Sequence, residues 1–168
     1  VFTENDPLNP NDNSFKRILT DVGKGGLPDL FVRALAKDKD GAIWVGTNKG
    51  VAVFYNPGNV FSGSNFDAQK IIIQQDGYNQ YLLETEFVTS VVVDGANRKW
   101  FGTYSGGVFL MSADGTKQLL HFTTDNSPLP SNNVNTIAVD DRTGEVFFGT
   151  EKGIISYRGD ATEGKEYC

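Results

Sequence analysis

The chain has 168 residues, a formal net charge of −6, and 39% hydrophobic and 12% aromatic residues. That is enough apolar material for one packed domain or part of a larger one, and the acidic balance offers no basic field for a nucleic-acid backbone. No run of eighteen apolar residues occurs, so no helical membrane span is encoded.

Nineteen glycines and six prolines indicate a chain rich in turns and favour an all-β organisation. The single cysteine, Cys168, is the final residue and has no internal disulfide partner. The opening "VFTENDPLNPNDNSF" has neither a basic start nor an apolar signal segment, and Val1 stands where an initiator methionine is expected. A processed product or a piece of a longer protein is the expectation.

The first element expected along the chain is an amphipathic outer strand near Phe15 to Asp21. "GKGG" (Gly23 to Gly26) lacks the Gly-x4-Gly-Lys-Ser/Thr spacing and following helix of a phosphate loop, and reads as a linker. A unit then begins, "VRALAKDKDGAIWVGTNKGVAVFY" from Val32. It returns as "VTSVVVDGANRKWFGTYSGGVFLM" from Val88 and as "VNTIAVDDRTGEVFFGTEKGIISY" from Val134. Gly46 and Gly102 are 56 residues apart, Gly102 and Gly149 only 47. The polar, Gly-rich "NPGNVFSGSN" (Asn56 to Asn65) accounts for the longer interval as a surface loop.

Each unit reads as three strands: one apolar on both faces, then an Asp/Gly turn and an aromatic strand ending in Gly-Thr, then a third after a Gly-containing turn. A fourth, amphipathic run precedes each unit: "FKRILTDVG", "QKIIIQQDG" and "KQLLHFTT". Four antiparallel strands repeated in this way predict a β-propeller blade. The expected fold is all-β, a partial propeller of about three four-stranded blades, with repeats at about 31–76, 87–124 and 133–158. Residues 1–30 would supply an outer strand and linker of a preceding blade. Trp44, Trp100 and Phe147 correspond, and a large aromatic there would fill the wedge between blades. Gly46, Gly102 and Gly149 are expected to let the backbone turn sharply beside those rings.

"GLPDLFVRALAKDKDGAIWVGTNKGV" resembles the two-component regulator propeller repeat of Bacteroidetes periplasmic sensors, with its Leu-Pro segment, Asp-x-Asp-Gly turn and Trp-x-Gly-Thr. The third unit keeps most of this but has Phe147 for Trp. The second lacks the Leu-Pro and has "DGANRK" for the Asp-Gly turn. The closing "GIISYRGDATEGKEY" is similar to the end of the propeller region in PorZ-like type IX secretion components. The resemblance implies a periplasmic or cell-surface location, and a ligand- or partner-binding module. That module would be a signal-transducing sensor of glycans or a secretion component handling glycan or lipopolysaccharide. It implies no cofactor.

Among candidate sites, "DKDG" (Asp38 to Gly41) opens like a calcium loop, but Lys49 stands where the twelfth-position glutamate would be, and Asp and Gly also suit a tight turn. No metal site is assigned. His121 is the only histidine and falls on an outer strand, which favours a packing role over general-base chemistry. The loops entering each first strand and those between strands two and three share one end of the blades. Their side chains, Asn48, Lys49, Tyr104, Glu151 and Lys152, with Arg33, Thr89 and Asn135 just inside, form the candidate ligand-binding ring at a channel mouth. A propeller hydrolase or lyase is the alternative, with Glu84, Glu86 or Glu151 as acid/base carboxylates; no nucleophile motif accompanies them, so no catalytic residue is assigned. Three blades leave apolar inner strands and open edges, so the expected partners are the remaining blades of the same protein or a second copy of the chain. In the latter case each N-terminal outer strand would complete the partner's third blade.

Overall fold

The computed structural model describes residues 2–3, 6–62, 65–75 and 77–159. The polar tail from residue 160, including Cys168, lies outside the described residues. Fifteen strands are described: β1 (Phe2–Thr3), β2 (Ser14–Phe15), β3 (Val32–Lys37), β4 (Ile43–Thr47), β5 (Gly50–Phe54), β6 (Gln69–Lys70), β7 (Ile72–Gln75), β8 (Tyr78–Tyr81), β9 (Val88–Val93), β10 (Lys99–Thr103), β11 (Val108–Met111), β12 (Gln118–Phe122), β13 (Val134–Asp140), β14 (Glu145–Thr150) and β15 (Gly153–Arg158). They form three antiparallel blades, β3-β4-β5-β6, β9-β10-β11-β12 and β13-β14-β15, with two separate ribbons, β1-β2 and β7-β8. The innermost strand β9 packs between β3 and β13, so the blades are arranged side by side about their first strands. This is a partial β-propeller.

Each repeated residue has an identifiable task. Asp38 opens the β3–β4 turn by accepting the amides of Asp40 (3.1 Å) and Ala42 (2.9 Å) on one carboxylate oxygen, while the other accepts the Trp44 indole N–H at 2.8 Å. Asp94 repeats this with the amides of Ala96 and Arg98, both at 3.0 Å, and the Trp100 indole at 3.2 Å. The Asp/Gly turn and the Trp are therefore one unit: the turn satisfies the only polar atom of a ring that is otherwise buried. The third blade has Phe147, which has no N–H to satisfy, and its Asp140 receives the Arg142 amide.

The rings fill the wedges. Trp44 is 1% exposed and lies 6.1 Å from Phe101 of the second blade; Trp100 is fully buried, 5.6 Å from Phe148 of the third. One apolar cluster joins Trp44, Val53, Val88, Phe101 and Met111, and the other joins Trp100, Leu110, Val134, Ile137 and Phe148. Phe147, in the same register, is half-buried because no further blade follows it among the described residues.

The glycine of the Gly-Thr pair works differently from the expectation. Gly46 and Gly102 are not in the left-handed region; instead a Cβ on Gly46 would lie 2.7 Å from a Val88 methyl, and one on Gly102 3.0 Å from a Val134 methyl. They are small so that the next blade's inner strand can approach, not so that the chain can turn. The threonine that follows closes the next turn: the Thr47, Thr103 and Thr150 hydroxyls donate to the carbonyls of Gly50, Gly107 and Gly153 at 3.0, 3.0 and 2.8 Å.

A charged residue joins the first two blades. Lys99, fully buried at the start of β10, reaches the Asp38 carboxylate at 3.2 Å and donates to the carbonyls of Asn97 (2.8 Å) and Ala113 (2.6 Å). Its ammonium also stands 4.8 Å from the Trp44 ring centroid. Beside it, Asn97 donates to Asp40 at 2.9 Å and accepts the Lys39 amide at 3.0 Å, so the two turns are latched together.

Three expectations need correction. The outer strand near Phe15 to Asp21 reduces to Ser14–Phe15, paired with Phe2–Thr3. The chain then folds into a tight loop, with Leu19 N–H to Lys24 O and Leu27 N–H to Leu19 O. This segment docks on the long loop of the first blade: Lys16 donates to Val60 O at 2.7 Å, and the Gly23 and Gly25 amides donate to Asp67 at 2.6 and 2.7 Å. No preceding blade is present among the described residues for a strand there to join. The run "QKIIIQQDG" is likewise divided at buried Ile71: Gln69–Lys70 edges the first blade, and Ile72–Gln75 turns away to pair with Tyr78–Tyr81. Finally, of the first strands only β9 is packed on both faces. Val32 and Leu35 of β3 and most of β13 remain open because each has a neighbour on one side only.

Truncating Trp44 or Trp100 to alanine is expected to cost about 3–5 kcal/mol in chemical denaturation, as for other buried large aromatics, and both indoles should resist quenching by iodide. Burial pushes the Asp38 carboxyl up, but hydrogen bonds from Trp44, Lys99 and Ala42 and the Lys99 charge more than offset this and hold it below the ordinary value of 3.8. Its stabilisation is therefore complete above that value and is lost as pH falls through the lower folded-state value. Asp38→Asn should remove this acid-side component and, by leaving Lys99 buried without its counter-charge, cost about 3–5 kcal/mol near neutral pH. Urea titrations at a series of pH values measure both.

Candidate functional site

The loops at the proposed channel mouth do lie at one end of the blades. Within each blade the residue after Gly-Thr bonds back to the loop entering the inner strand: Asn48 N–H to Phe31 O (3.3 Å), Tyr104 N–H to Phe87 O (2.9 Å) and Glu151 N–H to Asn133 O (3.3 Å). Between blades, Gly50 N–H donates to Glu86 O and Gly107 N–H to Asn132 O, both at 3.1 Å. The rim is thus a continuous hydrogen-bonded band built from the same positions in each repeat.

The eight candidate side chains are set along this band. The Arg33 guanidinium donates to Asn48 Oδ1, a hydrogen bond that joins two of the eight. Lys49 is paired loosely with Asp29 at 3.8 Å and stays largely in solvent, a geometry worth little in stability. Tyr104 is exposed beside Phe87, with ring centroids 6.3 Å apart. Glu151 accepts the Ser131 hydroxyl at 2.9 Å and the Asn133 amide at 3.2 Å. The Thr89 hydroxyl donates to Val134 O, which makes it a bridge between the second and third inner strands. Asn135 and Lys152 are exposed. None of the eight lines the clefts described next.

Sequence reasoning missed the β7–β8 ribbon and with it a cleft of about 590 Å³ on the outer flank, between that ribbon and strands β11 and β12. Its lining includes Tyr78, Tyr81, Glu84, Glu86, Gln118 and His121. The Asp-Gly pair in "QQDGYNQY" was the available hairpin signal. His121 is on the outer strand, as expected, its ring stacked on Phe109 at 3.9 Å and its Nε2 2.7 Å from Gly106 O. A second, apolar cleft of about 70 Å³ lies along β15 and is lined by Phe122, Leu129, Phe148 and Tyr157.

The turn aspartates Asp38 and Asp94 sit at the opposite end from the mouth, with their oxygens committed to amides and indoles. Among the described residues no group of three or more His, Cys, Asp or Glu is placed to hold a metal ion, and no helix is long and apolar enough to cross a membrane. Calcium at millimolar concentration is expected to leave the melting temperature unchanged; a substantial rise would show ligation at these turns.

Residues 26–49 match the two component regulator propeller family. Among solved structures the chain is similar to PorZ, an essential bacterial surface component of the type-IX secretion system of Porphyromonas gingivalis. The identity is 34% and the TM-score 0.75, over 80% of this chain and 18% of that one. It is also similar to the extracellular domain of a hybrid two component system from B. thetaiotaomicron, with 26% identity and a TM-score of 0.61 over 80% of this chain and 16% of that one. A one component system from the same organism gives 25% and 0.58 over 83% and 16%. No curated protein matches the sequence. The chain therefore spans less than a fifth of each of these structures. It is a partial β-propeller whose residues 26–49 match the two component regulator propeller family and which is similar over four-fifths of its length to PorZ.

Proposed function

We propose that the chain is a non-enzymatic propeller segment of a bacterial envelope protein, periplasmic or at the cell surface, and that it serves a PorZ-like secretion component more than a two-component sensor. The observation that carries this is the difference in likeness: 34% identity and a TM-score of 0.75 to PorZ, against 26% and 0.61 to the hybrid sensor domain over the same share of the chain. The ligand-facing surface is the hydrogen-bonded rim, where Arg33, Asn48, Lys49, Thr89, Tyr104, Asn135, Glu151 and Lys152 present side chains on a rigid band. Three of these eight are cationic, and Lys49 and Lys152 are exposed. On an acidic chain, that local basic character suits an anionic glycan or lipopolysaccharide.

The remaining blades of the same protein are the expected neighbours of the open flanks. The alternative of a second copy completing the third blade with its N-terminal strand is less well supported, because residues 16–25 are engaged with the chain's own Val60 and Asp67.

Binding of anionic lipopolysaccharide and a glycan array, measured beside a generic hydrolase panel, tests the reading. Affinity without turnover is expected, weakened at least tenfold by joint Lys49→Ala and Lys152→Ala substitution. Turnover without affinity for intact glycan would overturn it in favour of a propeller enzyme.

A further inference from the structure

We infer that the outer-flank cleft between β7–β8 and β11–β12 is a docking site for an extended, basic peptide segment that inserts a lysine or arginine side chain between Glu84, Glu86 and the two tyrosines. This goes beyond the rim reading and does not rest on it.

The cleft has the volume of a specific ligand site, about 590 Å³. Its lining is chemically one-sided. Glu84 and Glu86 bring two carboxylates, and no lysine or arginine is among the residues that line it. An anion is therefore disfavoured, and the chain's net charge of −6 adds to that.

Glu86 carries the second observation. Its Oε2 is shielded from solvent and has no hydrogen-bond partner among the described residues. The carboxylate is pressed against Gly106, where an added Cβ would meet Oε2 at 2.7 Å. The neighbouring donor is already used: a carbonyl only accepts, so His121 Nε2 carries the proton it shares with Gly106 O at 2.7 Å. One carboxylate oxygen is thus left without a donor, and a rotation of the Glu86 side chain toward the cleft that it lines would bring that oxygen to a bound cation. A guanidinium or ammonium supplies several donors and the compensating charge together.

The tyrosines fit the same occupant. Tyr78 is 77% exposed and Tyr81 42% exposed, and Lys70 already holds its ammonium 5.0 Å from the Tyr81 ring centroid. That ring therefore accepts a cation on its face in this structure. The β7–β8 ribbon pairs only with itself among the described residues, so it keeps open backbone edges. An extended segment can pair along such an edge while its side chains enter the adjacent pocket. A neutral saccharide could use the tyrosines and amides but would leave both carboxylates without a counter-charge.

Fluorescence anisotropy with a labelled decapeptide of alternating lysine and valine tests this on the intact chain, against the same peptide with glutamine for lysine. The lysine peptide is expected to bind at least tenfold more tightly than the glutamine one. Glu84→Gln with Glu86→Gln should weaken it at least tenfold, and Glu84→Gln alone should do so measurably should the double variant fail to fold by circular dichroism. Asp125→Asn, which removes an equal charge from an exposed loop, should change affinity less than twofold. Absence of binding, equal affinity for the two peptides, an equal loss in Asp125→Asn, or displacement of the peptide by an equal concentration of chitotriose would each overturn the proposal.

Discussion

The junction between the first two blades depends on a carboxylate that two partners from different blades share. Asp38 holds its own turn through two backbone amides, receives the Trp44 indole, and receives Lys99 from the neighbouring blade. Removing an ammonium from water is costly unless every proton finds an acceptor. Lys99 meets that condition with one carboxylate and two carbonyls. The geometry of turn, wedge and interblade contact is consequently set at one point, and the apolar cluster around Trp44 and Phe101 is built against it.

The remaining architecture extends this arrangement by small, repeated devices. A glycine lets the next inner strand come close, a threonine closes the adjoining turn, and a rim amide donates to the next blade's entry loop. Each device acts between nearest neighbours, as in other stacked-repeat proteins. The rim is rigid for that reason, which suits side chains that must be presented rather than rearranged. The outer flank is less regular, and it is there that the inserted ribbon makes room for a cleft.

Much of the fold was legible because the repeat fixes it. The aromatic-x-Gly-Thr spacing placed β4, β10 and β14, and the double-sided apolar pattern placed β3, β9 and β13. What escaped depended on context outside the repeat. Phe15 to Asp21 is amphipathic like the other fourth runs, but amphipathicity cannot reveal whether a sheet is present to receive it. The Asp-Gly signal after Gln75 was absorbed into an assumed outer strand, so the β7–β8 ribbon and its cleft went unread. Lys99 was the least legible residue: it stands where the other units have Ile43 and Val146, and only the proximity of Asp38 explains a buried charge. Topology put the candidate rim side chains at the loop end of the blades, but topology does not say whether side chains converge on a site.

The latch at Asn97 has a wider consequence. Asn97 adopts φ 60 where the first unit uses Gly41 at φ 88, so the second unit gives up the residue best suited to that conformation. In exchange its side chain grips Lys39 and Asp40 across the junction, next to the Lys99 pair. The junction of the second and third blades is built differently: Arg98 reaches Asp94 from within its own blade at 2.8 Å, and Val146 stands where the second unit has its lysine. The units are therefore not interchangeable parts. A second blade transplanted behind the third would bring its buried ammonium to a turn whose Asp140 accepts the Arg142 amide and faces the Arg142 guanidinium at 3.9 Å, in place of an aspartate that holds a Trp indole. Through this one lysine, the chain records the order in which its copies must stand.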